Sequence, residues 1–219
     1  MLLIYESDVY SPIVNFLRRG LTTEHGQVVE FSSYQEDGIV LGEGDRRIVY
    51  LTSSLEKSRN HLLQFTREKS NPGIIFISNR AFLHKNEFIN SLLSQGIFST
   101  SNIIFLAQHN LSRAELDIVD EKKLHFFPMR EVSAIGNYEI SESIMSIAKQ
   151  FSDLYVYIES GVLDYPIIRS NNPGGLTTRE LVYFIQRLKM MNNLRASEIV
   201  LSPTESRIAV KLLSEMYSK

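Results

Sequence analysis

Residues 153–180, DLYVYIESGVLDYPIIRSNNPGGLTTRE, combine a strand, an irregular loop and the start of a helix. The run LYVYI is apolar or β-forming, which predicts a buried strand that ends at Glu159. The polar run at residues 170–175 predicts a loop, because asparagine, proline and glycine interrupt regular structure. Thr177 and Glu180 have the spacing of a helix capping box, so a helix is expected to begin there. The functional question is therefore which side chains lie at the end of this strand.

Length and composition predict an ordinary globular protein. The chain has 219 residues, of which 43% are hydrophobic and 22% charged, enough to bury a full-sized core. With no long polar low-complexity run, we expect one domain covering residues 1–219. The net charge of -2 argues against a nucleic-acid partner. No run approaches the roughly 20 apolar residues of a membrane span, so we expect a cytoplasmic protein without membrane contact. The absence of cysteine excludes disulfides, thiolate nucleophiles and zinc-thiolate sites.

Strand and helix patterns alternate along the rest of the chain. The runs GIIFI at residues 73–77 and NIIFLA at residues 102–107 are apolar on both faces, which is typical of a parallel sheet covered by helices on both sides. A last strand is predicted at residues 198–201, followed by a second capping box of Ser202 and Glu205. The predicted fold is a three-layer α/β/α sandwich with a mainly parallel sheet. Ligands of such sheets bind beyond the carboxyl ends of the strands.

The segment PGGLTTRE at residues 173–180, lying shortly after an acidic strand end, resembles the ureohydrolase family of arginases, agmatinases and formiminoglutamases. That family has a Pro-x-Gly-Gly-Leu-Thr-x-Arg-Glu signature, and the order of elements here follows the same template to the terminal helix. The resemblance implies an arginase-like fold and a homo-oligomer. It also implies a ligand that is a small amine, a guanidino compound or an amino acid.

Active members of that family hold two manganese ions, which activate a bridging hydroxide for attack on a guanidinium carbon. The resemblance matches their metal ligands with the following positions of this chain: Ser54 in the first motif, Ser78, Arg80 and Phe82 in the second, and Glu159 and Gly161 in the third, where Asp164 keeps a later acidic position. A single glutamate cannot hold two dications, and Arg80 adds a positive charge there. Manganese is expected for the family, but with its ligands absent we expect this chain to have no metal cofactor.

Several candidate residues have two interpretations. Glu180 is either a ligand-facing acid, as the resemblance implies, or only part of the capping box. Arg80 and Glu159 form either a binding pair for an anion or zwitterion, or an ion pair that fills the space of the metals; both interpretations bring their charges together. Of the five histidines, none has metal-ligand spacing, and only His109 lies near a predicted strand end, where it is a candidate general base.

The leading hypothesis is an arginase-family protein that has lost the binuclear manganese site and has a non-catalytic binding, regulatory or assembly role. Its candidate ligand-binding residues are Arg80, His109, Glu159 and Glu180. The alternative is an active hydrolase of guanidino or amide C–N bonds whose rearranged metal site requires Glu159, Asp164 and His109 to converge. A third hypothesis, a flavodoxin-like binding protein with a chance resemblance, predicts a different strand order.

Overall fold

The computed structural model describes ten stretches of the chain. These are residues 2–5, 10–11, 13–15, 30–33, 47–53, 55–67, 69–85, 87–109, 111–164 and 173–217. Ser54, which the resemblance matches with a histidine ligand, lies outside the described residues, as do residues 165–172 of the loop.

Eight strands of the described stretches form one sheet. In chain order they are β1 (Leu2–Tyr5), β2 (Glu30–Ser33), β3 (Ile48–Thr52), β4 (Pro72–Ile77), β5 (Ile103–Leu106), β6 (His125–Phe127), β7 (Asp153–Glu159) and β8 (Leu194–Val200). Their spatial order is β2-β1-β3-β8-β7-β4-β5-β6, and each of these ladders is parallel. The predicted parallel sheet is confirmed. The flavodoxin-like hypothesis is wrong, because β8 and β7 separate β3 from β4, which would be neighbours in that fold.

Helices cover both faces of the sheet. The described α-helices are α1 (Leu55–Thr66), α2 (Phe88–Ser94), α3 (Arg113–Lys122), α4 (Met129–Ile135), α5 (Asn137–Ala148), α6 (Thr178–Leu188) and α7 (Ser206–Tyr217). Buried side chains of α1 to α3 belong to one apolar core, and those of α4 to α7 belong to the other. The three-layer sandwich is therefore confirmed. Among the described helices, none is long and apolar enough to cross a membrane.

Strand β7 shows how the sheet contributes to both cores. Leu154 and Val156 pack with helices α4 to α7, whereas Tyr155 and Tyr157 pack with α1 to α3. Successive side chains of a strand point to opposite faces, so a central strand needs apolar residues at nearly every position. This requirement explains why the sequence of β7 could be identified as a strand without its neighbours.

Strand β8 is longer than the sequence predicted. The predicted strand covered residues 198–201, whereas β8 runs over Leu194–Val200 in the centre of the sheet, between β3 and β7. Arg195 and Ser197 interrupt the apolar pattern in the part of β8 that was not predicted. Glu198 has no exposed surface. Its position in a central strand is possible only because hydrogen bonds compensate the buried carboxylate.

Candidate functional site

The carboxyl ends of the central strands meet at one side of the sheet, which we call the C-terminal edge. Ile77, the last residue of β4, lies opposite Ile158 of β7 and Leu106 of β5. Glu159 and Ser78 therefore occupy neighbouring positions where their strands end. Because ligands of parallel sheets bind at this edge, its side chains are the candidates for function.

Glu159 is the last residue of β7, and one of its carboxylate oxygens is enclosed by protein. This atom, Oε2, has no hydrogen-bond partner among the described residues. Burial raises the pKa of Glu159 to about 7, while the positive charge of Arg80 opposes this shift and the negative charge of Glu205 adds to it. Near neutral pH the carboxyl group is thus divided between its neutral and ionised forms. Such a group can bind a cation or exchange a proton.

Two side chains after β5 add further enclosed polar atoms to the C-terminal edge. Gln108 is fully buried, and its Nε2 donates to the carbonyl oxygen of Phe76 at 3.1 Å, whereas its Oε1 has no partner in the described part of the chain. Nδ1 of His109 lies 3.2 Å from the carbonyl oxygen of Ala107, so it carries the proton that this contact needs. Nε2 of His109 is enclosed and has no described partner. In the neutral ring it presents a lone pair, as the predicted general base requires.

Two residues other than glycine have a strained backbone conformation in the connections that follow β4 and β5. Ala107, directly after β5, has φ 69°, and Phe82, in the connection after β4, has φ 52°. Residues other than glycine rarely adopt positive φ, and such outliers concentrate at functional sites. The backbone amide of His109 donates to the carbonyl oxygen of Asn79 at 3.2 Å, which joins the two strained connections. The strain therefore lies at the same edge as the enclosed polar atoms.

Arg80 does not form the predicted ion pair with Glu159. Its Nη2 instead lies 2.6 Å from Oε1 of Glu87, and its guanidinium group stands 5.0 Å from the centre of the Phe82 ring. The other oxygen of Glu87 accepts from the backbone amide of His84 at 2.9 Å, which fixes the carboxylate within the same connection. This local partner holds Arg80 towards solvent, where 48% of its side chain is exposed. The ion pair that was expected to fill the space of the metals is therefore not formed, although the charge of Arg80 still acts on Glu159. The interpretation of Arg80 and Glu159 as a binding pair for an anion or zwitterion stays a prediction.

The remaining positions that the resemblance matches with metal ligands are poor in donors. Ser78 is buried, and its hydroxyl donates to the carbonyl oxygen of Arg80 at 2.6 Å. Phe82 is a buried apolar residue, and Gly161 has no side chain. Asp164 accepts from the backbone amide of Gly174 at 2.7 Å, so its carboxylate stabilises the loop.

The glycine-rich segment packs closely against the turn that follows β7, at Ser160–Val162. A Cβ atom at Gly175 would lie only 2.2 Å from the carbonyl oxygen of Val162, so the backbone approach requires glycine. The amide of Leu176 donates to the same carbonyl at 2.8 Å. Oε2 of Glu180 accepts from the amide of Thr177 at 2.7 Å, and the amide of Glu180 donates to Thr177 Oγ1 at 3.2 Å. The predicted capping box is confirmed, which gives Glu180 a structural role at this helix start.

The ligand set of the alternative hypothesis is not assembled. Within the described residues, one group of three His, Asp or Glu side chains has ligand atoms all within 4.8 Å of one another, and its members are His84, Glu87 and Glu115. The set His109, Glu159 and Asp164 does not meet this condition. The convergence that the alternative hypothesis required is therefore not observed.

Sequence reasoning missed a buried polar network centred on Glu198. Its Oε1 accepts from Thr52 Oγ1 at 3.1 Å and from Ser58 Oγ at 3.0 Å, and it lies 2.9 Å from Nδ1 of His61. Its Oε2 accepts from the Tyr155 hydroxyl at 2.8 Å. Burial, reinforced by the charge of Glu198, raises the pKa of Tyr155 well above its ordinary value. The signal available in the sequence was weak, because Arg195 and Ser197 accompany Glu198 in the same strand.

Comparisons relate this chain to known proteins. The family model described as "Arginase family" matches residues 24–215. An arginase from Bacillus subtilis has a TM-score of 0.85 at 12% identity, with 100% of this chain and 98% of that one covered. Formimidoylglutamase from the same species has a TM-score of 0.82 at 16% identity, with coverages of 99% and 85%. An Entamoeba histolytica arginase in complex with L-ornithine has a TM-score of 0.80 at 10% identity, with coverages of 100% and 98%. A comparison with curated proteins found no match.

Proposed function

Because this chain belongs to the arginase family, we propose that it retains the family's scaffold as a small-molecule-binding protein without manganese-dependent hydrolysis. Its proposed ligand is a small amine, a guanidino compound or an amino acid. The binding site is the C-terminal edge of the sheet, where Glu159 and His109 contact the ligand.

The enclosed polar atoms at that edge carry this proposal. Oε2 of Glu159, Oε1 of Gln108 and Nε2 of His109 each lack a described partner. Leaving a buried polar group unsatisfied costs about 1–3 kcal/mol, so such groups in native proteins usually bind water or a ligand. Glu159 Oε2 and Gln108 Oε1 are acceptors, and Nε2 of His109 is a third when Nδ1 carries the proton. A ligand rich in N–H groups matches them.

The carboxyl group of Glu159 is the feature of the edge that favours a cationic ligand. Glu159 is under the influence of Glu205 as well as Arg80, and Arg80 is already engaged with Glu87. A cationic amine or guanidinium group stabilises the ionised form of Glu159. The Entamoeba histolytica neighbour in complex with L-ornithine supports this ligand class, since ornithine carries two amino groups.

The side chains at the matched manganese positions support the loss of the metal site. The hydroxyl of Ser78 already donates a hydrogen bond to the carbonyl oxygen of Arg80. Phe82 has only a phenyl ring, and the side chain of Arg80 is itself a cation. Manganese prefers carboxylate and imidazole ligands, and two dications need several of them. Among the matched positions that the structure describes, Glu159 is the one carboxylate.

Calorimetric titration with L-ornithine and agmatine tests the proposal. We expect wild-type protein to bind at least one of them, and Glu159→Gln to weaken that binding about tenfold because the cation loses its counter-charge. The matched control is Glu121→Gln, which removes an exposed carboxylate on α3 and is expected to bind as the wild type does. If neither compound binds, or if Glu159→Gln binds as tightly as the control, the proposal is wrong.

The second candidate is an active hydrolase of guanidino or amide C–N bonds. Two observations favour it, because the pKa of Glu159 near 7 and the lone pair of His109 Nε2 are both suited to general-base catalysis. A hydrolase would release urea or ammonia from guanidino substrates, whereas a binding protein would not.

Three further properties stay predictions, namely homo-oligomerisation, a single domain and a cytoplasmic location. Light scattering of the purified protein would measure its oligomeric state.

A further inference from the structure

A second cluster at the C-terminal edge combines one imidazole with two carboxylates. His84 and Glu87 lie in the connection between β4 and α2, and Glu115 lies in the first turn of α3. None of the three occupies a position that the resemblance matches with a manganese ligand. The site proposed for the small molecule uses none of these three residues, so either site can fail without the other.

The distances within the cluster suit a small divalent ion. One ligand atom from each side chain lies within 4.8 Å of the other two. Nε2 of His84 is 3.4 Å from Oε2 of Glu115. In a tetrahedral zinc site with bonds near 2.0–2.1 Å, neighbouring ligand atoms are about 3.3 Å apart. The cluster can therefore accept such an ion with small movements of its side chains.

The surroundings give the cluster one closed side and one open side. Glu115 is only 4% exposed, and its Oε2 accepts from the amide and the hydroxyl of Ser112, each at 3.0 Å. These contacts hold the buried carboxylate in place, as outer hydrogen bonds do for metal ligands. The His84 side chain is 46% exposed, so an ion can reach it from solvent.

A neighbouring cation already compensates part of the negative charge. Nη2 of Arg80 lies 2.6 Å from Oε1 of Glu87, while Oε2 of Glu87 accepts from the backbone amide of His84. Arg80 thus competes electrostatically with any cation bound between His84, Glu87 and Glu115. Removal of the charge of Arg80 should therefore strengthen metal binding at this site. Metal binding to an isolated surface histidine would not respond to that change.

We propose that His84, Glu87 and Glu115 bind a borderline divalent metal ion of the zinc type, and that Arg80 limits the affinity. The imidazole nitrogen selects against calcium and magnesium, which prefer all-oxygen ligands. Three protein ligands leave a fourth position for water, as in open zinc sites.

Titration of chelator-treated, full-length protein with Zn²⁺ alone tests the site. We expect one Zn²⁺ per chain, about tenfold or greater loss of affinity in His84→Ala and Glu115→Gln, and about fivefold gain in Arg80→Gln. Glutamine also serves in a capping box, so Glu115→Gln keeps the start of α3 intact. The control His125→Gln changes a histidine of β6 and should bind as the wild type does.

A second measurement separates binding from a failure to fold. Zn²⁺ should raise the melting temperature of the wild type and of His125→Gln, but not that of His84→Ala, when all three melt at similar temperatures without metal. The proposal is overturned if the wild type binds no Zn²⁺, if His84→Ala and Glu115→Gln both bind as tightly as the wild type, or if Arg80→Gln weakens binding.

Discussion

Nδ1 of His61 lies 2.9 Å from Oε1 of Glu198, and both side chains are buried between the sheet and α1. The ring of His61 also stacks on Tyr50, with the ring centres 4.0 Å apart. Thr52 and Tyr155 bring β3 and β7 into the same network. One carboxylate therefore links three neighbouring strands to the helix that covers them.

Removing the carboxylate of Glu198 should be strongly destabilising. Glu198→Ala leaves several buried hydrogen-bond donors without their acceptor, and we expect the free energy of unfolding to fall by about 3–5 kcal/mol. Urea unfolding measures this change. The control Glu121→Ala, at an exposed position on α3, should change stability by less than about 0.5 kcal/mol. Equal effects of the two substitutions would show that the network does not stabilise the fold.

Gly175 should tolerate no side chain, because its Cβ atom would lie 2.2 Å from the carbonyl oxygen of Val162. We expect Gly175→Ala to lower the free energy of unfolding by about 1–3 kcal/mol, because the loop must move away from the turn that follows β7. Gly96→Ala is the comparison, since Gly96 has φ +66° but no atoms within 4 Å of the added Cβ. Backbone strain alone should cost about 1 kcal/mol there. A smaller loss in Gly175→Ala than in Gly96→Ala would contradict the close packing.

The features that the sequence predicted well are those that depend on local order. The apolar run of β7 and the capping box of Thr177 and Glu180 are specified by residues adjacent in the chain, and both are observed. The order of elements along the chain was matched with the family that the segment at residues 173–180 resembles, and the family model matches residues 24–215. These features needed no knowledge of distant contacts.

The features that the sequence did not predict depend on distant or competing partners. Glu198 was predicted to lie in the last strand, but its burial there depends on hydrogen bonds from residues that are distant in the chain, namely Thr52, Ser58, His61 and Tyr155. Arg80 could pair with either Glu159 or Glu87. The pairing with Glu87 became evident only from the path of the connection after β4. Polar contacts of this kind require the tertiary structure.

The stability of the protein should depend on the ionisation of Glu159. Its pKa is about 7 in the folded protein against an ordinary value of 4.5. Between these values the folded state keeps a proton that the unfolded state has lost, so stability falls as the pH rises through this window. We expect the wild type to lose up to about 3 kcal/mol between about pH 5 and about pH 8 through this group. Urea unfolding of Glu159→Gln at the same two pH values should show a smaller loss; an identical pH dependence would contradict the burial of a titrating carboxyl group.

Ligand affinity should show the opposite pH dependence. A cationic amine binds the ionised form of Glu159, and the ionised fraction rises about tenfold between about pH 6 and about pH 8 when the pKa is about 7. We expect the association constant for agmatine or L-ornithine to rise by up to about that factor in the wild type. In Glu159→Gln it should stay nearly constant over the same range, as calorimetric titration at each pH would measure. A wild-type affinity that falls with rising pH would exclude ionised Glu159 as the group that binds the cation.

Urea release from arginine and agmatine by the manganese-supplemented protein tests the central claim most directly. A scaffold that binds small molecules without manganese-dependent hydrolysis should release no urea above the level of protein-free solution. Catalytic turnover that requires manganese would contradict the proposed function and establish an active hydrolase.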